Sequence, residues 1–505
     1  MPGSVSSALR LVAAGWVLVR YDALAPREIE LLLPTPARLL AGFLRLFSGP
    51  EARRGRPGER LARAFERLGP AAIKLGQLLS TRADIFGGQF AQDLARLKDR
   101  LPPFDADLAR QEIELATGQP AASLFLEIGE PVAAASIAQA HRAVLRDGRQ
   151  VAVKVLRPDV ERRVAADIGA MTLGARLVEA VAPPVRRLEP RAFAATVARS
   201  LALELDLRLE AAAASELGEI MRRDPYMRAP EVVWAGVGRR VLTLEWASGE
   251  PLSEPSALEQ PGLDRKTLAD NVIRAFLAQA LDHGAFHADL HEGNLFVAPP
   301  DRITAIDFGI VGRIGPAERR YLAEILWGFL RRDYRRVAEV HFEAGYVSAE
   351  HSVDVFAQAL RAVGEPVFGR AASEVSMGKL LAQLFEITAL FDMRLRPELV
   401  LLQKTMVTVE GVARRIDPDH DIWAAARPVV ERWIARELSP PRRIAETARE
   451  VLQAARGLAR LADAAIEPRY DAPAQRRASR MAGWALAAAI AALVVAAFAL
   501  GWALR

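Results

Sequence analysis

The 505-residue sequence contains no cysteine, which excludes a disulfide framework and a thiolate metal site. This absence also fits a reducing compartment. Charge of one sign is scarce too, because 67 Lys and Arg residues nearly balance 62 Asp and Glu residues and leave a net charge of +5. Half of the residues are hydrophobic and a quarter are charged, which excludes a disordered chain. The length predicts two lobes with appendages, and we expect no nucleic acid among the partners.

The most informative stretch is 287–294, His-Ala-Asp-Leu-His-Glu-Gly-Asn, which is followed by Asp307-Phe308-Gly309. This order is typical of a kinase-type phosphoryl-transfer site. Asp289 would accept or position the proton of the nucleophile, while Asn294 and Asp307 would bind magnesium ions that bridge the phosphates. The alternative is a solvated loop beside an ordinary buried strand. Two motifs in this order and at this separation favour the phosphoryl-transfer interpretation.

Two upstream segments supply further candidates. Residues 150–155 alternate like a strand and place Lys154 in a Val-Ala-Val-Lys setting, where its ammonium could pair with the α and β phosphates. Residues 131–140 occupy the position of a phosphate-covering loop, with Ala133, Ala134, Ala135 and Ser136 as candidate nucleotide contacts. Alanine replaces the glycines that are usual in such loops, so we expect a stiffer loop with a different phosphate geometry.

A membrane anchor is predicted at the C-terminal end. Residues 481–504 carry no charge, and at about 1.5 Å rise per residue they could cross a bilayer core of roughly 30 Å. Arg476, Arg477 and Arg480 precede this segment, so the positive-inside rule places the catalytic body in the cytoplasm. The alternative is a buried hydrophobic helix or hairpin. Within the juxtamembrane segment 436–480, residues 444–465 show helical apolar spacing that could rest on a membrane or, as we favour, pack on the kinase body.

Local sequence patterns predict the order of helices and strands in the intervening chain. Helical spacing dominates 61–100, Pro102-Pro103 ends it, and 132–155 indicates two strands around a turn at Asp147-Gly148. Helices are expected from there to about residue 217, followed by a strand at 240–244 and a mostly helical C-terminal half.

Together these motifs resemble the UbiB family of atypical kinase-like proteins, also called ABC1 or ADCK, whose members support ubiquinone biosynthesis. Three features are specific to that family: the Lys-x-Gly-Gln pattern at 74–77, the alanine-rich loop at 133–139, and the Glu-x-Asp pattern at 204–206. The resemblance extends from about residue 61 to residue 433.

The resemblance implies an α+β fold: a bilobal protein-kinase-like fold with a helical N-terminal extension, to which we add the C-terminal transmembrane helix. In the family this extension folds over the cleft where a protein substrate would otherwise lie, and it would carry Lys74 and Gln77 on one helix face. The expected organisation is an amphipathic segment and linker (1–60), the extension (61–130), an N-lobe with inserted helices (131–250), a C-lobe (251–435), a juxtamembrane segment (436–480) and a transmembrane helix (481–504).

The family pattern also assigns roles to four acidic residues. Glu210 would be the helix partner of Lys154, Glu204 and Asp206 would bind the extension or a metal, and Glu245 would begin the adenine-binding hinge that ends at Ala247. Sequence alone does not choose between Glu204 and Glu210 as the partner of the lysine. The candidates are therefore catalytic Asp289, Lys154, Glu210, Lys74 and Gln77; nucleotide-binding Ala133, Ala134, Ala135, Ser136, Lys154, Glu245 and Ala247; and metal-binding Asn294, Asp307, Glu204 and Asp206.

The expected function is that of a membrane-anchored ATPase or small-molecule kinase that supports ubiquinone biosynthesis, with ATP or ADP and Mg²⁺ as cofactors. Almost no activation segment separates Asp307 from Gly315-Pro316, which disfavours peptide docking. Two alternatives stay open: a protein Ser/Thr kinase, and a nucleotide-dependent scaffold or lipid-extraction factor. Expected partners are a nucleotide, a lipid or quinone precursor, the membrane and ubiquinone biosynthesis enzymes; homodimerisation stays open. The expected location is the cell inner membrane, or the mitochondrial inner membrane in a eukaryote, with a single membrane pass.

Overall fold

The computed structural model describes residues 4–24, 35–80, 87–95, 97, 102–181, 186, 189–368, 383, 387, 390–393 and 397–437. The predicted membrane span 481–504 and residues 438–480 lie outside these ranges. Within the described part of the chain, no helix is both long and apolar enough to cross a bilayer. The chain divides into two compact units, the first comprising 1–275 and 285–312 and the second comprising 276–284 and 313–505.

The first unit begins with helices of the N-terminal segment (1–60) and of the extension (61–130). These helices are α1 (Ser4–Arg20), α2 (Thr35–Leu44), α3 (Pro57–Leu68), α4 (Pro70–Leu79), α5 (Gly88–Ala95), α6 (Ala106–Thr117) and α7 (Ala121–Leu124). The predicted helical stretch over 61–100 is interrupted, because α3 ends and α4 begins at Gly69, whose φ of 102° suits glycine. Leu61, Phe65, Phe90 and Leu94 bury the contact between α3 and α5.

A four-stranded antiparallel sheet follows, in the order β1 (Phe125–Ala134), β2 (Ala138–Leu145), β3 (Gln150–Leu156) and β4 (Val241–Glu245). The turn predicted at Asp147-Gly148 is confirmed between β2 and β3, and the strand predicted at 240–244 is confirmed as β4. β1 begins well before the predicted start at 132, because its register shifts on both sides of Pro131 disturb the alternation that marks a strand.

Long helices are inserted between β3 and β4, as predicted: α8 (Val160–Val181), α9 (Pro190–Glu204) and α10 (Leu207–Arg223). After β4 come β5 (Glu250–Pro251), α11 (Arg265–Ala278), β6 (Ala285–His287), β7 (Leu295–Ala298), β8 (Arg302–Ala305) and β9 (Val311–Arg313). Strands β5, β7 and β8 form a small sheet, and β6 pairs with β9. These short strands hold the two loops that carry the kinase-type motifs.

The second unit is helical in its described part. It contains α12 (Pro316–Arg331), α13 (Tyr334–Glu343), α14 (Val353–Phe368), α15 (Pro397–Ile416) and α16 (Ile422–Glu437). Phe329, Tyr334, Phe356 and Phe391 form its aromatic core. The predicted helical C-terminal half is confirmed over these residues.

Candidate functional site

A partly buried lysine and two carboxylates form the centre of the candidate site. Lys154 lies on β3, and its Nζ donates to both carboxylate oxygens of Glu210 on α10, at 2.8 and 2.9 Å. The same Nζ lies 3.4 Å from Oδ2 of Asp307. Contacts therefore resolve the choice that sequence left open, because Glu210 and not Glu204 is the partner of Lys154.

The electrostatics of this triad favour the charged lysine. Burial alone would lower the pKa of Lys154, but the carboxylates of Asp307 and Glu210 outweigh burial and raise it above its ordinary range. The Lys154 ammonium holds the pKa of Asp307 below its usual value. Burial raises the pKa of Glu210, although Lys154 opposes this shift. The site therefore presents a fixed ammonium beside an ionised Asp307.

The loop after β6 places Asp289 and Asn294 together. Nδ2 of Asn294 donates to the backbone oxygen of Asp289 at 3.0 Å, so the amide oxygen of Asn294 is the atom that could bind a cation. Asp289 itself is a third exposed, and its Oδ2 lies 3.7 Å from Nε2 of His291. Asp289 can thus reach a substrate in solvent while Asn294 holds the loop.

The sequence analysis assigned no role to His287, whose ring lies within hydrogen-bonding distance of the backbone on both sides of this loop. Its side chain is fully buried; Nδ1 accepts the backbone N–H of Asp289 at 3.2 Å, and Nε2 lies 3.3 Å from the oxygen of Ile306. Burial lowers the pKa of His287, which keeps the ring neutral. The signal that could have revealed this role is a histidine inside an otherwise apolar strand.

Asp307 has an unusual backbone conformation. Its φ is 60°, in the left-handed region that a residue other than glycine seldom adopts. The N–H of Gly309 donates to Oδ1 of Asp307 at 3.2 Å, which leaves Oδ2 facing Lys154. Such strain is common where a side chain must be held in a functional orientation.

The extension contacts this region through Lys74 on α4, which forms an ion pair with Glu204 at the end of α9. Both side chains are largely buried, at 13% and 23% exposure. Gly76 permits the approach of α4 to its neighbours, because a Cβ there would lie 2.3 Å from Leu97 and 2.7 Å from Phe65. Gln77 is half-buried on α4, three residues beyond Lys74.

Asp206 lies at the start of α10 and is hydrogen-bonded to Arg208. Its carboxylate caps the N-terminus of α10 by accepting the N–H of Arg208, and both oxygens also bind the Arg208 guanidinium at 2.8 and 2.6 Å. The hydrogen bonds from Arg208 lower the pKa of Asp206. These contacts make Asp206 the N-cap of α10, and its role as a ligand of the extension or of a metal stays a prediction.

The remaining nucleotide candidates lie at the edges of the four-stranded sheet. Ala133 and Ala134 end β1, and Ala135 and Ser136 form the turn to β2, which closes through a 2.8 Å bond from Ala135 N to Ala138 O.

Glu245 ends β4, the edge strand on the other side of the sheet, and its side chain is exposed. The backbone N–H of Glu245 donates to the oxygen of Glu231 at 2.8 Å. Ala247 follows two residues later in the loop. A base that binds this hinge would therefore have to use backbone groups other than the N–H of Glu245.

The donor chemistry suits Mg²⁺ bound with a nucleotide. Over the described ranges, no cluster of three His, Cys, Asp or Glu residues could hold a metal without help. Mg²⁺ usually takes one or two protein oxygens and completes its shell with phosphates and water, and Asp307 and Asn294 could supply such oxygens.

Comparisons with known proteins agree with this arrangement. The ABC1 atypical kinase-like domain matches residues 96–341, and the UbiB helical domain matches residues 360–421. A curated protein of Marinobacter nauticus named "Probable protein kinase UbiB" is 40% identical over 440 residues, covering 85% of this chain and 79% of the relative. The protein of the same name from Xanthomonas euvesicatoria is 41% identical over 452 residues, covering 86% and 80%.

Two solved structures are more distantly similar. The complex of Rv3197 with erythromycin from Mycobacterium tuberculosis has a TM-score of 0.49 at 22% identity, covering 78% of this chain and 98% of that one. The Rio2 kinase from Chaetomium thermophilum, in its ADP/Mg²⁺-phosphoaspartate complex, has a TM-score of 0.26 at 13% identity, covering 74% and 99%. The domain matches and the 40–41% identity to these curated relatives establish that this kinase-like chain belongs to the UbiB family of ABC1 atypical kinases.

Proposed function

We propose that this chain is a membrane-anchored ATP-binding protein, either an ATPase or a small-molecule kinase, that supports ubiquinone biosynthesis. The observation that carries the proposal is the Lys154 ammonium held between Glu210 and Asp307. A fixed cation beside a carboxylate suited to Mg²⁺ is the arrangement that neutralises phosphate oxygens in phosphoryl transfer.

The proposed roles follow from the local contacts. Asp307 and Asn294 would hold Mg²⁺ through side-chain oxygens, and Lys154 would bind the phosphates. The alanine-rich turn would cover the phosphates, and the hinge at 245–247 would bind the base. Asp289 would accept the proton of a hydroxyl or water nucleophile, because its carboxylate is partly exposed and its loop is fixed by Asn294. Lys74 and Gln77 would restrain the reaction from the extension.

Small-molecule or water acceptors suit this geometry better than a peptide. Residues 308–315 are all that separates Asp307 from the start of α12, so little chain exists to form a peptide-binding platform. The competing interpretation, a protein kinase, is favoured by the names of the curated relatives, which read "Probable protein kinase UbiB". Phosphorylation of a purified protein substrate would support that alternative.

Membrane attachment is part of the proposal. The uncharged segment 481–504 supports it, together with the apolar face of α1 and α2, on which Leu9, Val12, Trp16 and Phe43 are more than half exposed. Neither helix contains an acidic residue. Such a face, with arginines nearby, suits an anionic bilayer surface. A quinone precursor partitions into the same bilayer, where an ATP-driven protein could expose or modify it.

The direct test measures ATP hydrolysis by the purified full-length chain with Mg²⁺, with and without anionic vesicles and a phenolic quinone precursor. We expect turnover that rises when both are present, and loss of that turnover in Asp307→Asn. No Mg²⁺-dependent binding of ATP or ADP to the wild type would refute the nucleotide function.

The biological test uses a deletion of the gene in its own organism. We expect ubiquinone to fall and an early prenylated phenol to accumulate, with rescue by the wild type but not by Asp307→Asn. Full rescue by Asp307→Asn would leave a scaffold role and remove nucleotide chemistry from the explanation.

A further inference from the structure

Residues 102–104 of the extension are hydrogen-bonded to the alanine-rich hairpin formed by β1 and β2 and to Arg157 just after β3. Residues 102–104, Pro-Pro-Phe, lie beside the start of β2, where Gln139 is only 2% exposed. Oε1 of Gln139 accepts the N–H of Phe104 at 2.8 Å, and Nε2 donates to the Phe104 oxygen at 3.1 Å. One side chain thus pairs with both backbone groups of a residue 35 positions earlier, as a neighbouring strand would.

The second hydrogen of the Gln139 amide is used as well. It reaches Nε2 of His141 at 2.8 Å, and Nδ1 of that fully buried ring lies 2.8 Å from the oxygen of Gly129 on β1. Every polar atom of the Gln139 side chain therefore has a partner, which is the condition under which a buried amide stabilises a single conformation.

Arg157, just after β3, makes the second attachment. Its Nε donates to the oxygen of Ala135 at 2.9 Å, and its NH2 nitrogen donates to the oxygen of Pro102 at 2.9 Å. Its guanidinium carbon lies 5.7 Å from the centre of the Phe104 ring. A single guanidinium therefore links the extension to the very turn that would cover the phosphates. We call residues 102–104, Gln139 and Arg157 the extension clamp.

We propose that Gln139 and Arg157 are positioning residues that fix the alanine-rich turn and thereby set its preference between nucleoside diphosphate and triphosphate. This inference rests on the proposed nucleotide function. Any shift of the Ala135 carbonyl would break its hydrogen bond from Arg157, and charge-assisted bonds of this kind are among the stronger ones in proteins.

The experiment compares affinities for Mg-ADP and Mg-ATP in Arg157→Lys and Gln139→Met. Lysine keeps the charge but loses the planar, two-point attachment, and methionine keeps the length but loses the amide. We expect the ratio of the two dissociation constants to change by about tenfold in each variant. Arg149→Lys is the matched control, because Arg149 is exposed at the other end of β2 and pairs only locally with Asp147.

A double-mutant cycle separates positioning from a general loss of stability. If the extension clamp acts through the turn, Ala135→Gly and Arg157→Lys will have non-additive effects on the ratio, because glycine already frees the turn. Additive effects, or a wild-type ratio in both clamp variants, would overturn the inference while leaving the proposed function intact. A wild type that binds neither nucleotide would overturn the proposed function first.

Hydrogen exchange on the wild type provides a test that needs no variant. The Ala135 amide donates to Ala138 O across the turn, so we expect it to be protected in the protein without nucleotide. Exchange of this amide at the rate of an unstructured peptide would show that the turn is not fixed, and would overturn the inference.

Discussion

Replacing Gly76 by alanine should loosen the packing of the extension. The new Cβ would lie 2.3 Å from Cδ1 of Leu97 and 2.7 Å from Cδ2 of Phe65, well inside the 3.4 Å at which ordinary contact begins. The Leu97 methyl can move, but Phe65 is 5% exposed and packs in the core with Leu61 and Leu94. Overpacking of this kind costs about 1–3 kcal/mol.

Alanine also has a helix preference that acts in the opposite direction, by about 1 kcal/mol. Gly15 provides the control for this term, because it lies within α1 in the same unit and a Cβ added there would have no other atom within 4 Å. Gly15→Ala should therefore stabilise by roughly 0.5–1 kcal/mol. We expect the free energy of unfolding of Gly76→Ala to fall below that of Gly15→Ala by about 2 kcal/mol.

Urea unfolding of the two variants and the wild type, followed by circular dichroism, measures this difference. ATP turnover of the folded Gly76→Ala protein should also change, because a displaced α4 would carry Lys74 away from Glu204. A Gly76→Ala protein as stable as Gly15→Ala would refute the packing argument.

Four more outcomes are expected. Burial lowers the pKa of His287, so the folded state keeps the ring neutral while the unfolded chain takes up a proton near pH 6.5. The stability of the protein should therefore fall as the pH drops from about 7.5 to 5.5. This fall should be smaller in His287→Gln, as thermal unfolding at each pH would measure. Ala135→Gly should change the ratio of ADP to ATP affinity, and identical affinities in titration calorimetry would exclude a phosphate-loop role. Lys74→Ala should retain nucleotide binding but alter turnover or permit autophosphorylation, whereas loss of folding would indicate a structural role alone. Ending the chain after Arg480 should release a folded body from carbonate-washed membranes, and complete retention would place the anchor elsewhere.

Local patterns predicted the elements that depend on neighbouring residues. The Asp147-Gly148 turn and β4 follow from strand alternation and turn chemistry within a few positions. The break at Gly69 was missed because the apolar spacing continues through it, and only the backbone conformation of the glycine separates α3 from α4.

Hydrophobic periodicity does not predict contacts between residues that are far apart in the sequence. The pairing of Lys74 with Glu204 joins residues 130 positions apart, and the resemblance left both the extension and a metal as partners for that carboxylate. The capping role of Asp206 was also missed, although an aspartate followed two residues later by a helical arginine is compatible with an N-cap. The sequence shows which residues are charged, but which acidic residue pairs with which basic one depends on how the helices pack.

The placement of two glutamates around the break between α9 and α10 has a thermodynamic consequence. Glu204 binds Lys74 of the extension, Glu210 binds Lys154 of the sheet, and the negative charge of Glu204 contributes to the raised pKa of Glu210. Withdrawal of Lys74 would leave Glu204 uncompensated and strengthen this repulsion. If the position of the extension changes the affinity of Lys154 for a ligand, binding of that ligand must change the stability of the extension contact by the same free energy, since such coupling is reciprocal. If the proposed phosphate site at Lys154 is correct, the two ion pairs couple binding there to the position of the extension.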